Sequence, residues 1–164
     1  MMRVGGRSLA LGGAALAAAL LGALRPVTVL EIENAERERT FLTKLRRGEV
    51  FSVVYHHSMY DQPFTEDFVA EDGRIVLQAV SSPSAAVREY FGILGPGERH
   101  AMVRAMPEIV FRVAAGTPQR LRVAGVERSF LELGDHGDRL VLRAARRPAA
   151  AAWLVASAVR RTGG

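Results

Sequence analysis

The sequence predicts an all-β domain, an antiparallel β-sandwich or small barrel, preceded by an N-terminal apolar helix and followed by a short alanine-rich C-terminal helix. Three observations carry this. From Pro26 onward apolar residues recur mostly with period two, the spacing of a strand with one buried face. The runs are short and are separated by strong turn signals: Asp72-Gly73, Gly95-Pro96-Gly97, Gly116-Thr117-Pro118, Gly125 and Gly134-Asp135-His136-Gly137. The 164 residues suffice for one domain with a core and hardly for two.

Taken in order, the chain opens with a basic stretch, Met1 to Arg7, followed by Ser8 to Leu24, seventeen residues without a charge, and then Arg25-Pro26. This is the pattern of an export signal or a membrane anchor. As a helix rising ~1.5 Å per residue, the run would span about 25 Å, slightly less than a bilayer core of ~30 Å. Residues 1–25 are therefore read as a signal peptide or anchor. That places residues 26–147 outside the cytoplasm, in the periplasm or another extracytoplasmic space, with 8–24 able to hold the domain to the inner membrane. Strands are predicted at Val27–Ile32, Thr40–Leu45, Val50–Ser58, Phe64–Ala70, Arg74–Val80, Glu108–Ala114, Gln119–Val123, Val126–Leu133 and Asp138–Arg143. Ser84 to Phe91 suits one or two turns of helix. Residues 148–164 form an Ala/Arg-rich tail, in which Pro148 to Val159 is too short to cross a bilayer and suits a helix at its surface, with Trp153 at the interface.

Charge argues against a nucleic-acid partner. The net charge is +5, but Arg3, Arg7, Arg143, Arg146, Arg147, Arg160 and Arg161 lie towards the two ends. Setting those seven aside from 22 basic residues leaves 15 against 17 acids, about −2 for the middle of the chain. No basic stripe interleaved with aromatics is present to track phosphates. The chain has no cysteine, which excludes disulfides and thiolate metal ligands and leaves the compartment open.

The densest chemistry lies in YHHSMYDQPFTE, Tyr55 to Glu66. Strand phase puts Phe51, Val53, Tyr55 and His57 on one face and His56 on the other, so the histidine doublet is not itself a site. On the next strand Phe64, Glu66, Phe68 and Ala70 form the apolar set, which places a carboxylate on an inward face. A four-residue loop at Tyr60–Pro63 would pair His57 with Glu66 and Tyr55 with Phe68. The Asp72-Gly73 turn would then pair Phe68 with Leu77, Glu66 with Ala79 and Phe64 with Ser81. The predicted inner face is Phe51, Val53, Tyr55, Phe68, Ile75 and Leu77, with His57, Glu66 and Ser81 at one end.

That cluster admits two readings. A histidine beside a carboxylate, with Ser81 or Ser58, contains the ingredients of a nucleophilic triad, although no Gly-x-Ser-x-Gly elbow is present. A metal site would enlist His57 and Glu66 with His100 or His136, which fall in loops. The alternative is a buried His57–Glu66 pair that fixes the end of the hairpin or lines a binding site. No cofactor motif is present. Tyr90-Phe91 suits core packing or the rim of a pocket.

The export segment, an opening strand VTVLEI and then Tyr55, His57, Ser58, Pro63, Glu66 and Phe68 resemble domain-of-unknown-function family 1850 over roughly Val27 to Arg143. Those are small bacterial and archaeal proteins commonly encoded beside TRAP transporters of the TAXI type, which comprise a membrane permease and a periplasmic solute-binding protein. The likeness implies an exported accessory or binding component of a solute uptake system, with no established activity and no catalytic residues to carry over. The chain departs from the family at Ser81 to Arg88, where members tend to have a glycine. The competing reading is a small hydrolase or metal-binding enzyme that uses His57, Glu66 and a serine.

Overall fold

The computed structural model describes residues 19–152. These form ten strands: β1 (Pro26–Asn34), β2 (Arg39–Lys44), β3 (Val50–His57), β4 (Gln62–Glu71), β5 (Arg74–Ser81), β6 (Arg99–Met106), β7 (Ile109–Arg112), β8 (Gln119–Val123), β9 (Val126–Ser129) and β10 (Arg139–Pro148). One sheet has the order β2-β1-β10-β7, the other β6-β5-β4-β3-β8-β9, and every pairing is antiparallel. Leu30, Ile32, Leu140 and Leu142 of the first sheet share one core with Phe51, Val53, Phe68 and Leu121 of the second. The fold is the predicted antiparallel sandwich.

Most predicted strands stand within a few residues of their expected limits, and Gln119–Val123 has the same limits. The Asp72-Gly73 turn has positive φ at both residues, 48° and 75°, as a two-residue type I′ hairpin requires. Three expectations need correction. The stretch Arg99–Met106 is a strand rather than a loop, and both of its faces are largely exposed. It is the edge strand of the larger sheet, and with both faces in solvent no buried face imposes an alternating pattern on it. The expected strand Val126–Leu133 stops at Ser129, because Ser129 and Glu132 form a reciprocal capping box that opens the 3-10 turn Phe130–Glu132. Finally, β10 runs past the expected end at Arg143 to Pro148, so Arg146 and Arg147 also belong to the sheet. Arg143 bonds Glu33 and Glu108, and Arg147 bonds Glu31 across the strand pair.

Helix Ala85–Tyr90 forms where a short helix is expected, capped by Ser84 Oγ accepting from the Val87 N–H at 3.4 Å. Residues 19–24 and 149–152 are helical. The greater part of the export or anchor segment, and the tail from Trp153 onward, lie outside the described residues. No helix among the described residues is long and apolar enough to cross a membrane.

Candidate functional site at the end of the β3–β4 hairpin

Period-two alternation sets the inner face as expected: Phe51 and Phe68 stack at 5.4 Å, and Ile75 and Leu77 are buried beside them. The register along that face differs from expectation. The turn is Ser58–Asp61, not Tyr60–Pro63, and the pairs are His57 with Gln62, Tyr55 with Phe64, Val53 with Glu66 and Phe51 with Phe68. Two features fix the earlier turn. Asp61 accepts a positive φ of 46°, and the N–H groups of Tyr60 and Asp61 both donate to the His57 carbonyl, at 3.2 and 2.8 Å. Pro63 is tolerated within β4 because the ladder to β5 begins only at Thr65.

The change separates His57 from Glu66. Each partner on β4 moves by four positions, so both residues stay on the inner face but no longer stand opposite one another. The expected buried His57–Glu66 pair does not form. Ser81 is also displaced. Gln78 is an extra residue in β5, since Asp67 pairs with Ala79 while Phe68 pairs with Leu77. Beyond this bulge the faces exchange, and Ser81 pairs with Thr65 on the outer side. Ser82 takes the inward place and is 1% exposed. Its Oγ donates to the Pro63 carbonyl at 2.8 Å, and its own carbonyl accepts from Arg88 Nη1 at 2.7 Å. Ser82 thus ties the hairpin end to the helix. Ser82→Ala should lower stability by about 1–2 kcal/mol through the unpaired Pro63 carbonyl, with an unchanged denaturation midpoint counting against this tie.

His57 is enclosed by aromatic rings: Tyr60 at 5.3 Å, Tyr90 edge-on at 4.6 Å and Phe91 edge-on at 5.6 Å. Phe91 also stacks on Phe64 at 4.4 Å. Tyr90 and Phe91 therefore form a wall of this cluster as well as packing on the core. The His57 ring is 8% exposed as a residue, and its Nδ1 is buried with no hydrogen-bond partner. A buried ring nitrogen without a partner is unfavourable. His57→Phe should therefore hold stability or raise it by about 1 kcal/mol, where a functional or hydrogen-bonded histidine would lose it.

Glu66 stands between Phe64 and Phe68 and opposite Val53 and Val80, all buried. Burial pushes its carboxyl up to about 7, with no cation pulling back. The neighbouring Tyr55 hydroxyl is pushed up by burial and then by the charge of Glu66. A half-protonated carboxyl near neutrality suits acid–base chemistry, yet among the described residues its ladder partners are Val53 and Val80 rather than a histidine or serine. Ser58 is exposed in the turn, and His56 points outward with its Nδ1 3.1 Å from Asp61. His100, expected in a loop, lies on β6 and donates to the Gly97 carbonyl at 3.0 Å. His136 accepts from the Ala115 N–H at 3.1 Å. Among the described residues no three His, Asp or Glu side chains converge as metal ligands.

The hairpin is legible in the sequence, whereas the inward place of Ser82 and the way the aromatic rings enclose His57 are not. Ser82 was hidden by the bulge, and the enclosing role of Tyr60, Tyr90 and Phe91 depends on a helix folding back over the turn. Around this cluster large apolar groups face solvent: Tyr90 is 58% exposed, with Met59 at 69% and Leu94 at 83% close by in the chain. The chain matches no protein-family model, no curated protein and no solved structure, so the geometry of this hairpin end carries the functional reading.

Proposed function

We propose that the chain is an extracytoplasmic accessory domain that binds a protein partner of a TAXI-type TRAP uptake system through the aromatic end of the β3–β4 hairpin. The observation that carries this reading is the set of solvent-facing rings Tyr60, Tyr90 and Phe91 packed on buried His57, with exposed Met59 next to Tyr60 in the chain. Exposed aromatic and methionine side chains grouped at one end of a small domain are the composition of an interface core. The residues that resemble domain-of-unknown-function family 1850 lie in the same hairpin, and the apolar start of the chain supports a location outside the cytoplasm. The partner is the membrane permease or the solute-binding protein of that system. The hydrolase reading has less support, because His57 and Glu66 are not opposed and Ser81 faces outward.

The test is solute uptake in a strain lacking this chain, with the permease and solute-binding protein intact. Deletion should reduce uptake, the native chain should restore it, and Tyr60→Ala with Tyr90→Ala should not, although the variant folds. Normal uptake in the deletion strain would sink the reading.

A further inference from the structure

Basic side chains gather at the corner where the first and last strands of the smaller sheet meet. Pro26 pairs with Pro148, Val27 with Arg147 and Thr28 with Arg146, and the Arg25 carbonyl accepts from the Ala149 N–H at 3.0 Å. The Leu45 N–H donates to the Thr28 carbonyl at 2.9 Å, which brings the end of β2 and the loop after it to the same corner. Arg25, Lys44, Arg46, Arg47, Arg146 and Arg147 are all exposed. Arg147 is paired with Glu31, and the others have no ion pair among the described residues. The acid of the loop, Glu49, accepts from the Arg46 backbone N–H at 2.6 Å. Residues 1–18 and 153–164, the remainder of the chain on either side, contain Arg3, Arg7, Arg160 and Arg161 and neither Asp nor Glu. The hairpin turn Glu71–Arg74, further along this end of the sandwich, holds Glu71 and Asp72 beside Arg74, so the basic excess belongs to the corner itself.

Apolar groups adjoin this charge. In the helical turn at 19–24, Leu20, Leu21 and Leu24 are 55%, 72% and 66% exposed, and Leu24 directly precedes Arg25. A soluble polyanion would satisfy the arginines and leave these leucines in water. A bilayer takes both, leucines at the acyl boundary and arginines among the headgroup phosphates. We propose that this corner docks the folded domain onto an anionic phospholipid surface. Each basic residue held at such a surface favours the docked state about fivefold. β3 leaves the corner at Val50 and ends at His57, about 25 Å away at ~3.3 Å per residue. Docking therefore holds the aromatic hairpin end clear of the lipid.

The chain lacks cysteine, so single labels can be placed at will. The full chain, with Val50→Cys beside the corner or Met59→Cys in the far turn, is labelled with NBD and reconstituted in nanodiscs containing headgroup-nitroxide lipid. In phosphatidylglycerol discs the label at 50 should be quenched and the label at 59 should not. Quenching at 50 should fall in phosphatidylcholine discs, and in about 1 M KCl, where the Debye length is ~3 Å. Arg46→Glu with Arg47→Glu, both in an exposed loop, should lower the docked-to-undocked ratio about twentyfold or more. Arg25→Gln with Arg146→Gln, which leaves that loop intact, should lower it in the same direction while the circular dichroism stays native. Any insertion of the apolar start of the chain is common to all discs, so these differences report the folded domain. The proposal is overturned by equal quenching in the two lipids, by equal quenching at 50 and 59, or by variants that dock as the native chain does. It is equally overturned if a DNA duplex at equal phosphate concentration displaces the domain from the discs, since nucleic acid would then be the favoured partner.

Discussion

Glu66→Gln should raise the thermal stability of the domain at pH 8 and leave it unchanged below about pH 4. The folded-state carboxyl titrates at about 7, against 4.5 for the free group, and burial is the cause. A carboxyl raised in the folded state binds its proton more tightly there than in the unfolded chain. Its contribution is therefore greatest below the unfolded value and is lost as pH rises from 4.5 through 7. The interval corresponds to about 3 kcal/mol, since each unit is worth ~1.4 kcal/mol. Glutamine resembles the protonated acid at every pH and removes that slope. Asp138 works in the opposite sense. Its carboxylate is held below the usual range chiefly by the Asn34 side-chain amide, so its contribution is lost on acidification. The difference between wild type and Glu66→Gln isolates the first effect. Parallel melting-temperature curves from pH 4 to 8 would show that Glu66 does not titrate in this window.

Gly134→Ala should be the most damaging single-methyl substitution in the domain, at about 3 kcal/mol or more. A Cβ built at Gly134 would lie 2.5 Å from Asn34 Nδ2, 3.0 Å from Asp138 Oδ2 and 3.2 Å from Asp138 Cβ. These atoms cannot retreat cheaply. Asn34 is fully buried and donates to the Leu133 carbonyl at 3.1 Å and to Asp138 Oδ2 at 2.8 Å. Asp138 Oδ2 also accepts from Arg37 Nε and the Asp135 N–H, each at 2.9 Å. This network joins the end of β1, the turn after it and the start of β10. Displacing its centre leaves several buried polar groups without partners at once. Gly116→Ala is the control: no atom lies within 4 Å of its Cβ, so its effect should stay within about 0.5 kcal/mol. Equal denaturation midpoints for the two alanine variants would refute the argument.

The two faces of β3 and β4 were legible in the sequence because alternation survives a slip by an even number of residues. Phe51, Val53, Tyr55 and Phe68 point inward whether His57 meets Glu66 or Gln62. The turn position was not legible, because Pro63 reads as a loop residue and only its freedom from the β5 ladder admits it to a strand. A bulge leaves no mark in a pattern: Gln78 is one residue among alternating neighbours, yet it exchanges Ser81 for Ser82 at the site. β6 escaped notice for a different reason, since a strand with both faces in solvent is not obliged to alternate. The capping box at Ser129 and Glu132 was visible as Ser-Phe-Leu-Glu and outweighed the apolar run that suggested a longer strand.

The pairing of Pro26 with Pro148 has a mechanical meaning. β1 begins and β10 ends at the same corner, side by side and antiparallel, so a tether at either terminus grips the same point. Tension between the two ends would open the β1–β10 ladder one bond at a time, as a zip opens, instead of shearing all its bonds together.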